Sequence, residues 1–308
     1  MTTALITHAD CLGHVTPDGH PERVARLEHV LHALESLDLM RVTAPLATDD
    51  DLQRIHPASY MQMLASKLPG GGFQQLDADT HMSPGSLEAA YRAAGAVLKA
   101  VDMVLAGEVG NAFCAIRPPG HHAETAIPMG FCLFGNAALA AKHALDHHGL
   151  DRVAVVDFDV HHGNGTQDLL WNEPRALVVT SQQMPLWPGT GKPEETGPHG
   201  NILNIPLAPE SDGTVMRAAY EAQVFPRLRN FAPDLIIISA GFDAHADDPL
   251  AQLNWQTEDF TWLTDQLCAL AAELCGGRVV STLEGGYDLQ ALAQSTRAHV
   301  EALIEAAR

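Results

Sequence analysis

The sequence predicts an α/β fold in a single domain, with a central, mostly parallel sheet of about eight strands flanked by helices. Three observations predict this class. Short apolar runs rich in β-branched residues recur along the chain, their hydrophobicity is continuous rather than alternating, and helical patterns separate them. Continuous hydrophobicity indicates strands covered on both faces, as in a parallel sheet. No internal repeat or Pro-, Gly- or Ser-rich linker divides the chain, so we expect one domain over residues 1–308.

Strands and helices alternate in the order that helical crossovers between parallel strands require. The predicted strands, each too short for a helix, are residues 4–7, 112–116, 153–157, 176–180, 202–205, 235–239 and 278–283. The predicted helices are residues 21–37, 86–105, 136–148, 212–230, 257–274 and 288–307. In the first of them Val24, Leu27 and Leu31 recur at helical spacing and share one face. Residues 184–200 fit neither pattern, and we interpret them as an active-site loop.

Charge and composition exclude several classes of protein. Acidic residues outnumber basic ones by 38 to 18, the formal net charge is −20, and no Lys- or Arg-rich stretch interrupts the excess. We therefore expect no nucleic-acid partner, because binding to a phosphate backbone depends on basic residues. No segment resembles a signal peptide or a transmembrane helix, and the five cysteines form no CxxC pair. We expect a soluble, cytoplasmic protein with reduced cysteines and no membrane partner.

Histidine is frequent, with 17 residues, several of them in adjacent pairs. Four polar clusters follow directly after predicted strands, and two of them carry such a pair. They are residues 117–122, 157–165, 240–245 and 284–288. The carboxyl ends of parallel strands emerge at one edge of the sheet, where open α/β folds bind their ligands. We therefore expect the four clusters to converge on one site. The pair His147-His148 ends a predicted helix, and we expect it at the surface.

Asp159, His161 and Asp243 are candidate metal ligands. Asp159 and His161 are two residues apart at a strand end and project to the same side, while Asp243 follows another strand. Two carboxylates and an imidazole without a thiolate suit Zn²⁺ with an open coordination position, or another borderline divalent ion. The alternative is a strand-end turn with solvated carboxylates. Convergence with the other polar clusters argues against that alternative.

His121 and His122 are candidates for proton transfer. They follow a Pro-Pro-Gly turn near the expected metal, and imidazole both accepts and donates protons near neutral pH. Each needs an orienting partner on its other ring nitrogen, and Asp157 and Asn164 are the candidates. Tyr287 follows two glycines and is suited to donate a hydrogen bond to an oxyanion. The alternative for Tyr287 is a turn residue packed on the surface.

These residues together resemble the zinc-dependent histone deacetylase family of the arginase/deacetylase superfamily. The resemblance covers nearly the whole chain, through HADCLGHVTPDGHPERVARL, RPPGHHA, GFC, DFDVHHGNGTQ, PLWPGTG, GFDAHADDPL and LEGGYDL. Asn164, where class I enzymes carry Asp, favours the class II side together with the GHPERVARL and GFDAHADDPL strings. That side includes bacterial amidohydrolases and acetylpolyamine amidohydrolases. The resemblance implies the arginase/deacetylase fold and a zinc-dependent hydrolase of N-acetyl amides.

The resemblance also implies roles for single residues. The ligands of one catalytic Zn²⁺ would be Asp159, His161 and Asp243. The general acid/base pair would be His121, oriented by Asp157, and His122, oriented by Asn164. Tyr287 would polarise the acyl carbonyl beside the zinc. A structural K⁺ would be held by the Asp157 carboxylate, the Ser181 hydroxyl and the backbone carbonyls of Asp159 and His161.

Further residues are implied for substrate binding. Phe131 and Trp187 would form the aromatic walls of an acyl-lysine channel, and Gly130 and Gly286 would line it. In polyamine-selective relatives an acidic residue can occupy the position that follows Asp-Pro in the GFD motif. Leu250 stands there in this sequence and favours acyl-lysine or a broad range of acyl amides over acetylpolyamine. We expect Asp79, with the adjacent threonine, at the rim of the channel.

The expected partner is an acetylated lysine peptide or protein, or a small acylated amine, and the net charge of −20 favours a cationic substrate. The alternatives are an acetylpolyamine amidohydrolase and a non-catalytic acyl-lysine binding module. A ureohydrolase with two manganese ions is disfavoured, because its ligand strings are absent. Short loops are compatible with a monomer, and the sequence leaves the oligomeric state open. His245 lies beside the third candidate ligand, and the sequence does not decide whether it supports the metal ligands or lies at the rim of the channel.

Overall fold

Eight parallel strands form the central sheet of the protein, whose computed structural model describes residues 1–308. In chain order these strands are β1 (Thr3–Thr7), β2 (Met40–Thr43), β5 (Asn111–Cys114), β6 (Val153–Asp157), β7 (Ala176–Gln183), β8 (Ile202–Leu207), β9 (Leu235–Ala240) and β10 (Val279–Leu283). Their order across the sheet is β2-β1-β5-β10-β9-β6-β7-β8. A separate antiparallel pair consists of β3 (Gln74–Gln75) and β4 (His81–Met82). The predicted α/β class with about eight parallel strands is confirmed.

Ten α-helices flank the sheet. They are α1 (Val24–Ala33), α2 (Asp49–Leu52), α3 (Ala58–Ser66), α4 (Ser86–Leu105), α5 (Asn136–Asp146), α6 (Asn164–Leu170), α7 (Gly213–Ala219), α8 (Phe225–Phe231), α9 (Thr257–Cys275) and α10 (Leu289–Ala307). No helix is long and apolar enough to span a membrane. All five cysteines are free and buried, as expected.

The core lies on both faces of the sheet, which explains the continuous hydrophobicity of the strands. Every residue of β6, β9 and β10 is buried. The helices that cover these strands pack closely through small residues. In α4, a side chain at Gly95 would overlap the carbonyl of Pro45 on the neighbouring segment. Close packing of this kind positions the strand ends that carry the polar clusters.

The prediction of one continuous helix over residues 212–230 is wrong. It is divided into α7, a wide π-type turn at Tyr220–Val224, and α8. The Phe225 N–H donates to the Tyr220 carbonyl five residues back, instead of four. Pro226 supplies the physical reason, because it has no N–H to continue the α-helical pattern.

Strand β2 and helices α2, α3 and α6 were not among the predicted elements. β2 is an edge strand with three exposed residues, so its sequence, MRVT, shows no apolar run. α2 and α6 have only four and seven residues, too few to display a helical period. β2 pairs with β1 and α6 packs on β7, so tertiary contacts rather than a pattern of their own mark these two elements.

Candidate active site

Asp159, His161 and Asp243 meet at the carboxyl edge of the sheet, because β6 and β9 are neighbours there. His161 Nδ1 lies 3.2 Å from Asp159 Oδ1 and 3.1 Å from Asp243 Oδ2. One potential ligand atom from each residue lies within 4.8 Å of the others. Both carboxylates are completely buried. Their distances and chemistry fit the open donor set of a catalytic divalent metal.

Backbone groups orient the two carboxylates toward each other. Asp159 accepts hydrogen bonds from the N–H groups of His161 and Gly285, each at 2.9 Å. Asp243 Oδ1 accepts one from Val160 N–H at 2.9 Å. A side chain at Gly285 or Gly241 would overlap the Asp159 carboxylate, so glycine is required at both positions. The surrounding backbone thus leaves room only for the ligands.

The buried carboxylates of Asp159 and Asp243 need positive charge close to them. Burial and the neighbouring Asp159 carboxylate raise the pKa of Asp243 to about 6. Burial also opposes ionisation of Asp159, but the imidazoles of His121 and His161 outweigh it and hold the Asp159 pKa below its usual range. Two buried carboxylates this close need positive charge beside them. In the metal-free protein His161 supplies it: burial disfavours a charged imidazole, but the two carboxylates raise the pKa of His161 to about 10. A divalent ion bound there would take over this role.

His121 is fixed by two acidic side chains. Its Nδ1–H donates to Asp157 Oδ2 at 3.0 Å, while Nε2 lies 3.7 Å from Asp159 Oδ2. The backbone N–H groups of Gly120 and His121 donate to Glu284 Oε2 at 2.7 and 3.1 Å. Burial disfavours a charged imidazole, but the Asp159 and Asp157 carboxylates raise the pKa of His121 to about 10. A cation on Asp159 would offset part of this attraction.

His122 has the opposite electrostatic environment. Burial, followed by the charges of His121 and His161, holds its pKa well below the ordinary value of 6.5. Its ring centroid lies 3.8 Å from that of His121 and 4.7 Å from Trp187. The two adjacent histidines therefore differ in charge, and His122 is the neutral member.

The tautomer of His122 follows from a chain of hydrogen bonds. His122 Nδ1 lies 2.7 Å from Asn164 Oδ1, and Asn164 Nδ2 donates to Glu124 Oε1 at 2.8 Å. A carboxylate only accepts hydrogen bonds, so the Asn164 amide must turn its nitrogen to Glu124 and its oxygen to His122. His122 Nδ1 must then carry the proton. Its Nε2 keeps a lone pair that is available to accept a proton.

Tyr287 lines the same cavity as His122 and His161. Burial raises the pKa of its phenol well above the usual range, so the hydroxyl stays a hydrogen-bond donor. The Arg26 guanidinium lies 4.9 Å from the ring centroid. The Tyr287 backbone N–H donates to Asp248 Oδ2 at 2.7 Å. Only 8% of Tyr287 is exposed, so it is not a turn residue packed on the surface.

A cavity of about 240 Å³ joins these groups to the surface. Its lining contains Pro21, Asp79, His122, Gly130, Phe131, His161, Leu186, Trp187, Leu250 and Tyr287. Most of the residues expected in the channel and at its rim are thus brought together. Trp187, from the loop interpreted as an active-site loop, is 42% exposed. A side chain at Gly130, whose φ is +57°, would overlap the rings of His122 and Trp187.

Gly286 lies in the turn that leads to Tyr287. It is not part of the cavity lining, and its carbonyl accepts a hydrogen bond from Arg26 Nε at 2.5 Å. Its φ of +119° is accessible only to glycine, so it shapes the turn that carries Tyr287. Ser181 lies on β7 beside β6, with its hydroxyl 2.8 Å from that of Tyr220. Asp157 is buried on β6, opposite Thr180 in the register of the two strands.

His162 and His245 lie beside metal-ligand candidates in the sequence and make contacts outside the ligand set. His162 binds Thr190 through Nδ1 at 2.7 Å and Gln167 through Nε2 at 3.1 Å. His245 accepts a hydrogen bond from the Asp247 N–H, and its ring stacks on Phe260 with an interplanar angle of 7°. It is not part of the cavity lining.

Several supporting residues were missed by sequence reasoning. Glu22 and Arg117 form a completely buried ion pair, with Arg117 Nε 2.5 Å from Glu22 Oε1. Arg26 donates to Glu22 and to the carbonyls of Glu284 and Gly286, and so ties the N-terminal segment to the Tyr287 turn. The charged run HPERVAR was the available signal, since its Glu and second Arg are buried. Glu124 had a weaker signal, its position two residues after the histidine pair.

A divalent-metal donor set, a pair of imidazoles and a phenol at the carboxyl edge of a parallel sheet define a metal-dependent hydrolase. Comparison with known proteins identifies the family. The family model of the histone deacetylase domain matches residues 20–303, and the chain belongs to this family. It is therefore a deacetylase or amidohydrolase of a zinc-dependent family.

Relatives from three groups of organisms are similar along most of the chain. Histone deacetylase 10 of rice, a chloroplastic protein, is 39% identical, over 92% of this chain and 69% of its own. The histone deacetylase-like amidohydrolase of Pseudomonas aeruginosa is 39% identical, over 87% and 71%. A probable deacetylase of Archaeoglobus fulgidus is 36% identical, over 94% and 82%. The crystal structure of the HDA15 HD domain superposes with a TM-score of 0.93 at 31% identity, over 99% of this chain and 88% of that one.

Proposed function

We propose that the protein hydrolyses the N-acetyl amide of acetyl-lysine in peptides or proteins and releases acetate and the free amine. The observation that carries this proposal is the lining of the cavity of about 240 Å³, in which Phe131, Trp187 and Leu250 accompany the polar groups. Aromatic and aliphatic walls suit an unbranched aliphatic stem, and the polar groups suit an amide. Leu250 is uncharged and so offers no ion pair to the second ammonium group of a polyamine.

Asp159, His161 and Asp243 would hold the catalytic zinc in this proposal. Their buried donor atoms, all within 4.8 Å of one another, and the glycines that make room for them support the assignment. Zinc bound there would polarise the acyl carbonyl and lower the pKa of a water molecule.

His122 is the proposed general base. Its neutral imidazole presents the Nε2 lone pair, because Nδ1 donates to Asn164. Nε2 takes a proton from water as the oxygen bonds to the acyl carbon. The same proton then passes to the leaving nitrogen as the C–N bond breaks, so the imidazole ends the cycle neutral.

Tyr287 and His121 would stabilise charge during this step. The Tyr287 phenol donates a hydrogen bond to the oxyanion that develops on the acyl oxygen. His121, held by Asp157, keeps positive charge near the reacting group and discourages protonation of His122 in the resting enzyme. Asp157 and Asn164 are thus positioning residues.

We also propose that a structural K⁺ is bound behind the active site. Its ligands would be the buried Asp157 carboxylate, the Ser181 hydroxyl and the carbonyls of Asp159 and His161. The adjacency of β6 and β7 supports the placement of Asp157 and Ser181 on neighbouring strands. We further propose that residues 1–308 form one catalytic domain, since a single cluster of 81 buried residues spans them.

The substrate proposal is tested by comparing kcat/KM of the zinc-loaded protein on an acetyl-lysine peptide, acetylspermidine and longer acyl-lysine peptides. We expect the acetyl-lysine peptide to be preferred by about tenfold or more. Faster turnover of acetylspermidine would overturn the choice of substrate and leave the chemistry in place. No acetate release from any of the substrates would overturn the proposed function.

Leu250→Glu tests the determinant of this preference. A carboxylate at the rim should attract the ammonium group of acetylspermidine and shift the ratio of kcat/KM toward it by about tenfold. Leu186→Glu is the matched control, because it adds the same charge to another leucine of the cavity. An equal shift in both variants would mean that general charge, rather than position 250, sets the preference.

A further inference from the structure

A second cluster of metal-binding side chains lies at the C-terminal end of α5, remote from the catalytic residues. His143 and His147 are four residues apart and their rings stack, with centroids 4.7 Å apart and an interplanar angle of 8°. His148 follows directly. One ring nitrogen from each of the three lies within 4.8 Å of the others. Histidines four residues apart on a helix are a common arrangement for binding zinc.

Asp102 on α4 adds an oxygen donor to the three imidazoles. Its Oδ1 lies 2.7 Å from His143 Nε2 and also 2.7 Å from His148 Nε2. The ligands of a tetrahedral zinc ion lie roughly 3.3 Å apart, given bonds of about 2.0 Å. These atoms therefore need to separate by only a fraction of an ångström to surround an ion. The catalytic set shows the same closeness, with His161 Nδ1 3.1 and 3.2 Å from its two carboxylates.

His143 holds the cluster from its buried side. The residue is only 5% exposed, and its Nε2 is the ring nitrogen that faces Asp102. Asp102, His147 and His148 are partly or fully exposed, so an ion has access from solvent.

We propose that His143, His147, His148 and Asp102 form a second metal site for a borderline divalent ion such as Zn²⁺ or Ni²⁺. Imidazole nitrogen with one carboxylate oxygen is a donor set that these ions prefer over Mg²⁺ or Ca²⁺. The site links α4 to the end of α5. α5 begins beside the catalytic loop at Asn136, next to Gly120, and its 11 residues extend roughly 16 Å from there. The bound ion therefore stabilises the junction of the two helices and takes no part in hydrolysis.

The experiment is a metal count on the untagged, full-length protein equilibrated with excess Zn²⁺ and freed of unbound metal. We expect about two zinc ions per chain in the wild type and about one in H147A/H148A, with kcat unchanged in the variant. Asp159→Asn should also bind about one ion, at the second site, and the combination of all three substitutions about none. Ni²⁺ titration followed by calorimetry gives the same comparison without activity as a readout.

The matched control is H29A/H32A, which removes another exposed pair of histidines, on α1. This variant should keep both ions. A count of one in the wild type, or of two in H147A/H148A, would overturn the second site. Equal losses in H147A/H148A and H29A/H32A would show nonspecific surface binding and would overturn it as well. None of these results bears on the catalytic site, which is measured separately by Asp159→Asn.

Discussion

At the scale of single residues, partners decide what each histidine does. His121 and His122 are adjacent and equally buried, yet one pairs with a carboxylate and the other with an amide. The Asp159 and Asp157 carboxylates favour a charged His121, whereas burial and the charges of His121 and His161 favour a neutral His122, whose tautomer is set by Asn164. In the proposed mechanism the histidine pair therefore combines a cation and a base in one dipeptide.

The first prediction concerns Glu124, which orients Asn164 and through it His122. Asn164→Asp alone should lower kcat by about tenfold, because two carboxylates would then face each other across 2.8 Å. In E124Q/N164D the glutamine amide donates to the new carboxylate, which again accepts from His122 Nδ1. This double variant should recover most of the lost kcat, and measured kcat and its pH profile check the prediction.

Glu28→Gln provides the control for this double variant, since Glu28 is exposed on α1. It should leave the defect of Asn164→Asp unchanged. If E124Q and N164D instead lower kcat independently, with no recovery in combination, Glu124 does not act through the Asn164 amide.

At the scale of elements, α9, α10 and β10 share one buried histidine. The Thr264 hydroxyl donates its hydrogen to the Phe260 carbonyl, so it accepts a hydrogen bond from His299 Nδ1. The other ring nitrogen, His299 Nε2, accepts a hydrogen bond from the Ser281 hydroxyl on β10. The neutral ring is thus satisfied on both sides. Burial lowers its pKa from 6.5 to about 3.

The second prediction follows from this depressed pKa. Below pH 6.5 the unfolded chain protonates His299 and the folded chain does not, so protons favour unfolding until the pH falls to about 3. His299 should therefore contribute a loss of stability that approaches about 1.4 kcal/mol per pH unit below pH 6.5. In His299→Gln this contribution should vanish from the slope of the unfolding free energy against pH. Urea denaturation between about pH 5 and 8 measures that slope.

His32→Gln is the comparison for this prediction, because His32 is exposed and should leave the slope unchanged. A slope equal to the wild type's in His299→Gln would show that the folded protein protonates His299 as readily as the unfolded chain does.

At the scale of the whole molecule, we expect metal binding and the stability of the fold to depend on each other. Two buried carboxylates from β6 and β9 lie in the centre of the sheet edge, where solvent cannot screen them. The third prediction is that removal of the metal by chelation lowers the free energy of unfolding, and that the part of this loss due to Asp243 grows between pH 3.8 and about 6. The sign follows from Asp243, whose raised pKa means that ionisation above pH 4 to 6 destabilises the folded state.

Asp243→Asn distinguishes this effect from general loss of ligand binding. In metal-free protein near pH 8, the variant should be more stable than the wild type by up to about 3 kcal/mol, because it removes one buried charge. With zinc present the order should reverse, since the wild type gains the binding energy. Equal stabilities of the two metal-free proteins at all pH values would contradict the electrostatic account.

Much of this architecture could be predicted from the sequence. The strands of a buried parallel sheet have a continuous apolar pattern, so their positions and the polar clusters that follow them are visible in the chain. The parallel arrangement then requires those clusters to share an edge. Asp159, His161 and Asp243 were candidates on this basis alone, and the motif order indicated the family that the comparisons confirm.

Only the tertiary structure decided which side chains contact one another, because hydrogen bonds and charges act between residues distant in sequence. The amide orientation of Asn164 depends on Glu124, 40 residues earlier, and the buried partners of Arg26 include carbonyls 258 and 260 residues later. Edge strand β2 and the short helices also lack a pattern of their own. The sequence by itself determined the fold class, the family and the donor types, which depend on local pattern and residue chemistry. The tautomers, the charge states and the second histidine cluster depended on how distant elements pack.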